Sequence, residues 1–139
     1  MYLAGKKIFI LEDNSMNRIV FRISLITQGA FVEFDQWGRE TMDKIERYHP
    51  DLIILDLMLP HGKSGYEVFE QIREHEEYND VPIVAISASE PAFALPKTKN
   101  MGFSGFIAKP IDETLFPEQM AKILNGEEVW FAGERYNGS

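Results

Sequence analysis

Five polar side chains stand at the ends of apolar runs in this chain. Glu12 and Asp13 follow "KIFIL" (7–11), Asp56 closes "LIILD" (52–56), Ser87 closes "PIVAIS" (82–87), and Lys109 follows "GFIA" (105–108). Runs this apolar and β-branched read as buried strands, and buried strands seldom deliver carboxylates without a use for them. Three carboxylates held close repel, and their pKa values rise unless a cation compensates. Lys109 offers one positive charge against three negative ones. The remaining imbalance suits a hard divalent ion, and Mg²⁺ favours one or two carboxylates, a carbonyl, waters and phosphate oxygens. No histidine or cysteine stands at these strand ends, which argues against zinc or copper.

The elements that must position these groups are legible as an alternation. A further run, "FVEF" (31–34), is the most polar, as expected of an edge strand. Helical patterns lie near 15–28, 38–48, 65–76, 96–102 and 116–124. Strand–helix alternation with such connections implies βαβ units in a mainly parallel sheet, hence a small doubly wound α/β domain. In open sheets of this kind the functional crevice lies beyond the carboxyl ends of the strands, so the five polar residues converge on one edge. Local signals set several boundaries. Asn14 suits the opening of the first helix, and Ser64 with Glu67 forms a capping box before the third. Gly29 and Gly102 fall where helices should stop, and Pro117 suits the first turn of the last helix. Pro91 and Pro96 both fall near the fourth helix, and a proline in a helix interior costs about 3 kcal/mol. The expectation is therefore a loop through about residue 95 and a short helix starting at Pro96.

The fragments "LEDN" (11–14), "LDLMLP" (55–60), "ISAS" (86–89) and "GFIAKP" (105–110), in this order and at these separations, resemble the receiver domain of bacterial two-component response regulators. The likeness spans residues 7 to about 124, and "EDNSMN" (12–17) is most similar to single-domain regulators of the DivK type. The resemblance implies a flavodoxin-like (CheY-like) fold, a five-stranded parallel sheet of order 2-1-3-4-5 flanked by five helices. It implies a receiver over residues 1–124, with 125–139 as a short aromatic-containing C-terminal tail and no output domain. By matching position, Asp56 is the nucleophile that accepts a phosphoryl group from a phosphohistidine. Asp13 binds Mg²⁺ directly, Glu12 mainly through water, and the backbone carbonyl of Met58 joins Asp56 to complete the protein ligands. Lys109 pairs with Asp56 and then with a phosphoryl oxygen. Ser87 hydrogen-bonds the phosphoryl group and moves toward it on activation, and Phe106 holds the place of the aromatic switch. The implied partners are a histidine kinase or a histidine phosphotransfer protein, and the chain would signal by conformational change or onward transfer. The only catalysis implied is of its own phosphorylation and dephosphorylation.

Composition narrows the rivals. With 22 acidic residues against 14 lysines and arginines the net charge is −8, which argues against phosphate-backbone binding and so against nucleic acid as a partner. The chain has no cysteine, which excludes disulfides, thiolate zinc sites and thiol nucleophiles. No signal-peptide pattern and no apolar run long enough to span a membrane are present, so the expected compartment is cytoplasmic. A Mg²⁺-dependent phosphatase-like enzyme using the same acids is the main alternative. It would need a second acid two residues after the nucleophile, where Met58 stands. A flavin carrier would need a glycine- and hydroxyl-rich loop where "EDNSMN" stands. The stretch "HGKS" (61–64) is no P-loop, because Leu57 holds the place of its first glycine. It does lie on a loop one residue longer than the family's, with nine positions from Asp56 to Gly65, and carries His61 and Lys63 beside the site.

Two apolar features are left over. Val20, Phe21 and Leu25 mark one face of the first helix, which the resemblance implies is the core face, whereas Met16, Ile19, Ile23 and Ile26 follow helical spacing on a nearly opposite face. That second stripe either packs against the last helix or meets a partner, a phosphotransfer bundle or a second copy. After Asn125-Gly126, Trp130, Phe131 and Tyr136 favour a tail that docks on the domain or on a dimer mate over one that frays.

Overall fold

The computed structural model describes residues 1–59 and 64–133. Its strands are β1 (Lys7–Leu11), β2 (Phe31–Asp35), β3 (Leu52–Asp56), β4 (Ile83–Ser87), β5 (Gly105–Ala108) and β6 (Val129–Phe131). Its helices are α1 (Ser15–Ile26), α2 (Thr41–Tyr48), α3 (Gly65–Arg73), α4 (Pro91–Met101) and α5 (Phe116–Leu124), with a 3₁₀ turn at Glu76–Tyr78. The sheet order is β2-β1-β3-β4-β5-β6, and every neighbouring pair is parallel. The flavodoxin-like order 2-1-3-4-5 is thus as expected. A sixth strand, beyond the five that were foreseen, extends the sheet along β5.

Side-chain alternation explains the two layers. Ile8, Ile10, Ile54, Val84 and Ile86 point into one core with Phe21 and Leu25 of α1 and Phe116 and Met120 of α5. Phe9, Leu11, Leu55, Ala85 and Phe106 point into the other, with Ile45 of α2, Val68, Phe69 and Ile72 of α3, and Ala94 of α4. Strands covered on both faces need continuous apolar sequence, which β3 and β4 have. The chain leaves β1 toward β2 on one side and returns at β3 on the other, so the strand order reverses at β1/β3.

The end signals mostly act as read. The Asn14 side chain accepts from the Asn17 N–H at 2.9 Å, and Ser64 Oγ accepts from the Glu67 N–H at 3.2 Å. Gly102 ends α4 with φ 99°, and Gly29 stands at φ 93° three residues past α1. Pro117 lies in the first turn of α5.

The expected loop through residue 95 is wrong. α4 begins at Pro91 and runs through Pro96 to Met101. Pro91 is harmless at the first helical position, where an N–H would be unpaired anyway. Pro96 forfeits one hydrogen bond, but Ala94 and Thr98 on either side of it are fully buried, and Thr98 Oγ1 donates to the carbonyls of Ala94 and Leu95 at 3.0 and 2.9 Å. Packing of that face overrides the proline's local preference.

The second apolar stripe on α1, Met16, Ile19, Ile23 and Ile26, stays largely exposed. Phe21 and Leu25 are buried and Val20 half-buried, whereas Ile19 is 51% and Ile23 55% exposed. The last helix meets α1 through Phe21 and Phe116, with ring centroids 5.5 Å apart.

Candidate functional site

The carboxyl ends of β1 and β3 deliver the acids to the reversal point. Glu12 is fully buried and Asp56 almost so (2% exposed), while Asp13 is half-exposed. Carboxylate oxygens of Glu12, Asp13 and Asp56 lie within 4.8 Å of one another. Lys109, just past β5, reaches over this group, with Nζ 2.8 Å from Asp56 Oδ2 and 2.7 Å from Glu12 Oε1. The structure thus brings together four of the residues singled out in the sequence.

The backbone around them is fixed by side chains that sequence reading did not single out. Arg18 Nη1 donates to the carbonyls of Glu12 (3.0 Å) and Asp13 (2.9 Å), pinning the acidic pair from one turn into α1. Asn17 Nδ2 donates to Glu12 Oε1 at 3.4 Å, and the Asn14 N–H to Glu12 Oε2 at 3.2 Å. Their signal lay in "EDNSMNR", since Asn17 and Arg18, six and seven residues beyond the end of β1, lie on the first turn of the next helix. After β3 the Met58 N–H donates to Asp56 Oδ1 at 3.0 Å, and the Gly65 N–H donates to Leu57 O at 3.2 Å. A methyl group on Gly65 would collide with the Asp56 carbonyl and come 2.9 Å from Leu57 Cα. The site therefore requires a glycine there. His61 and Lys63 lie outside the described residues.

Electrostatics match the crowding. Burial pushes the Glu12 carboxyl up to about 7, and the Asp56 charge adds to the rise while the hydrogen bond from Lys109 opposes it. Burial works against the charged Lys109, but the hydrogen bonds and charges of Asp56 and Glu12 outweigh it and hold the ammonium above its ordinary pKa. A single ammonium does not neutralise the cluster. Oxygen donors from carboxylates, one half-exposed to the open side, form a donor set that fits a hard divalent cation and not a soft one.

Ser87 and Phe106 approach from the opposite face of the sheet. Ser87 is fully buried at the end of β4, and its Oγ accepts from the Ser89 N–H at 2.9 Å. Phe106 is fully buried, paired with Ala85 of β4 on one side and Trp130 of β6 on the other. Neither touches Asp56 through a described hydrogen bond.

Comparison with known proteins agrees with this geometry. Residues 8–121 match the response regulator receiver domain family. The polar-differentiation response regulator DivK of Brucella ovis is 31% identical over 119 residues, covering 86% of this chain and 96% of that protein. Among solved structures, the chemotaxis response regulator CheY4 of Vibrio cholerae superposes with a TM-score of 0.74 at 25% identity, over 88% of this chain and 98% of that one. The BeF3-activated N-terminal receiver domain of Klebsiella pneumoniae RstA shares the fold, with a TM-score of 0.77 at 24% identity over 85% and 97% of the two chains.

Proposed function

The chain belongs to the response regulator receiver domain family, a signalling family and not one of conventional enzymes, and we propose that it carries a phosphoryl group on Asp56. A histidine kinase or a histidine phosphotransfer protein is the donor. An Asp56 carboxylate oxygen attacks the phosphorus of the phosphohistidine; the new P–O bond forms as the P–N bond breaks, and the imidazole leaves with that electron pair and takes up a proton from solvent. Such transfer needs in-line positioning and neutralisation of the phosphoryl oxygens more than covalent help from the protein.

This chain's residues divide that work. The Met58 N–H and Lys109 Nζ each hold one oxygen of Asp56 and fix its plane. Lys109 is placed to follow the charge onto a phosphoryl oxygen. Ser87, whose hydroxyl now accepts from a backbone amide, supplies a donor to the group once it is in place, and Phe106 responds to that movement as the switch. Asp13, Asp56, the Met58 carbonyl and, through water, Glu12 would hold Mg²⁺, which supplies further neutralisation of the phosphoryl oxygens. Residues 1–124 act as the receiver, with 125–139 as its appendage. Among the described residues no helix is long and apolar enough to cross a membrane, and we place the protein in the cytoplasm.

The observation that carries this reading is the contact of Lys109 with both Asp56 and Glu12 beside Asp13. Incubation with acetyl phosphate and Mg²⁺ followed by intact-mass measurement tests it. The expected result is one acid-labile phosphoryl adduct on the wild type and none on Asp56→Asn. An undiminished adduct on Asp56→Asn would refute the assignment.

A further inference from the structure

One row of side chains crosses five of the six strands, from β1 to β6. Register places Leu11 beside Leu55, Leu55 beside Ala85, Ala85 beside Phe106, and Phe106 beside Trp130. All of them belong to, or pack against, the same core cluster. Ser87 lies two residues beyond Ala85 on the same face of β4, so the row passes one pleat from the hydroxyl assigned to the phosphoryl group. Trp130 at the far end is only half-buried, and its indole lies under Lys99 of α4, with Nζ 5.1 Å from the ring.

β6 that carries Trp130 is built to be marginal. It has three residues, each half-exposed, and among the described residues it pairs on one side only. Exposed residues Asn125 to Glu128 lead into it, and glycines with φ near +90° flank it at Gly126 and Gly133. Val129 N–H reaches the Ser104 carbonyl only at 3.4 Å. A short edge strand with one paired side contributes little backbone stability, so its aromatic contacts decide whether it stays. Gly105 makes room for it, since a Cβ there would meet the Val129 carbonyl oxygen at 2.5 Å.

We infer that β6 is the output element of this chain, docked on β5 with Trp130 in register beside Phe106, and released when Asp56 carries a phosphoryl group. The inference rests on the Asp56 reading. Phosphoryl oxygens beside β4 draw the Ser87 hydroxyl from its amide partner. Phe106, fully buried beside Ala85, shifts with β4, and its register beside Trp130 is disturbed. An edge strand this short detaches once its packing is disturbed, and the β5 edge and the indole become available together.

Trp130 reports on this directly in a Trp37→Phe background, because Trp37 and Trp130 are the only tryptophans. Acetyl phosphate and Mg²⁺ should shift its emission to the red and raise acrylamide quenching about twofold, as expected for a docked population falling to a minority. The intact mass is followed in the same samples. An adduct with no change in Trp130 emission overturns the coupling alone; no adduct overturns the Asp56 assignment and the coupling with it. Two further variants separate docking from folding. Gly105→Ala, and a chain ending at Gly126, should both take up the phosphoryl group. Gly105→Ala should show the red-shifted emission before any donor is added. By linkage the shortened chain should bind beryllofluoride several-fold more tightly than the full chain. Equal affinity would overturn the inference.

Discussion

Lys109 and Asp56, 53 positions apart in the chain, meet at 2.8 Å, and Glu12 shares the same ammonium at 2.7 Å. Both carboxylates are nearly closed off from water, so each depends on this cation for compensation. Removing one partner of a buried ion pair leaves the other charge unpaired, which commonly costs about 3–5 kcal/mol. Lys109→Ala should therefore lower the urea midpoint in neutral buffer free of divalent ions. Adding Mg²⁺ should restore more stability to the variant than it adds to the wild type.

The raised carboxyl of Glu12 gives stability a pH dependence of defined sign. The group titrates near 4.5 when free and at about 7 in the folded protein. Between those values the folded state binds more protons than the unfolded one, so stability falls as pH rises through the window and stays lower above it. Urea unfolding across that window, without divalent ions, should show this slope in the wild type and a flatter one in Glu12→Gln. Equal slopes would show that Glu12 is not the group responsible.

The exposed stripe on α1 should be dispensable for folding. Ile19→Glu/Ile23→Glu changes two side chains that are more than half exposed, and such surface changes usually alter stability by about 0.5 kcal/mol or less. Phosphoryl uptake from acetyl phosphate should be unchanged, whereas uptake from a phosphohistidine protein should slow. Sedimentation alongside shows whether association of the chain with itself changes instead.

The amino-terminal residues are structural. Leu3 is fully buried, its N–H donates to the Gln28 carbonyl at 3.0 Å, and the Tyr2 hydroxyl donates to Glu118 at 2.8 Å. Leu3→Ala should cost about 2–5 kcal/mol in urea unfolding. Mg²⁺ affinity should be unchanged, because Leu3 lies at the end of the sheet away from the acids.

Legibility followed the range of the interactions involved. β1, β3 and β5 fell where their apolar runs ended, because strands buried on both faces leave little else possible. The positions of Glu12, Asp13, Asp56 and Lys109 followed from those ends. Side chains acting across a turn, such as Arg18 on the carbonyls of Glu12 and Asp13, are silent in composition because any surface arginine looks the same. α4 was misread because the propensity of Pro96 is local whereas the burial of Ala94 and Thr98 is not. β6 has too few residues to show a period, and only its pairing with β5 makes it a strand. Leu3 was overlooked for a similar reason, since one apolar residue ahead of β1 has no pattern of its own.

The parallel run of β6 also sets which end of the sheet that strand finishes at. The chain rises along β5 in the same direction as β5 itself, and Gly133 already lies beside Ala108, with a Cβ built on it 3.8 Å from the alanine methyl. Gly133 therefore lies at the edge of the sheet that holds Lys109 and the acids. Met1 lies at the other end, its sulfur near Gly29. A label carried at Gly133 would accordingly stand beside the acids, whereas one carried at Met1 would stand at the opposite end of the sheet.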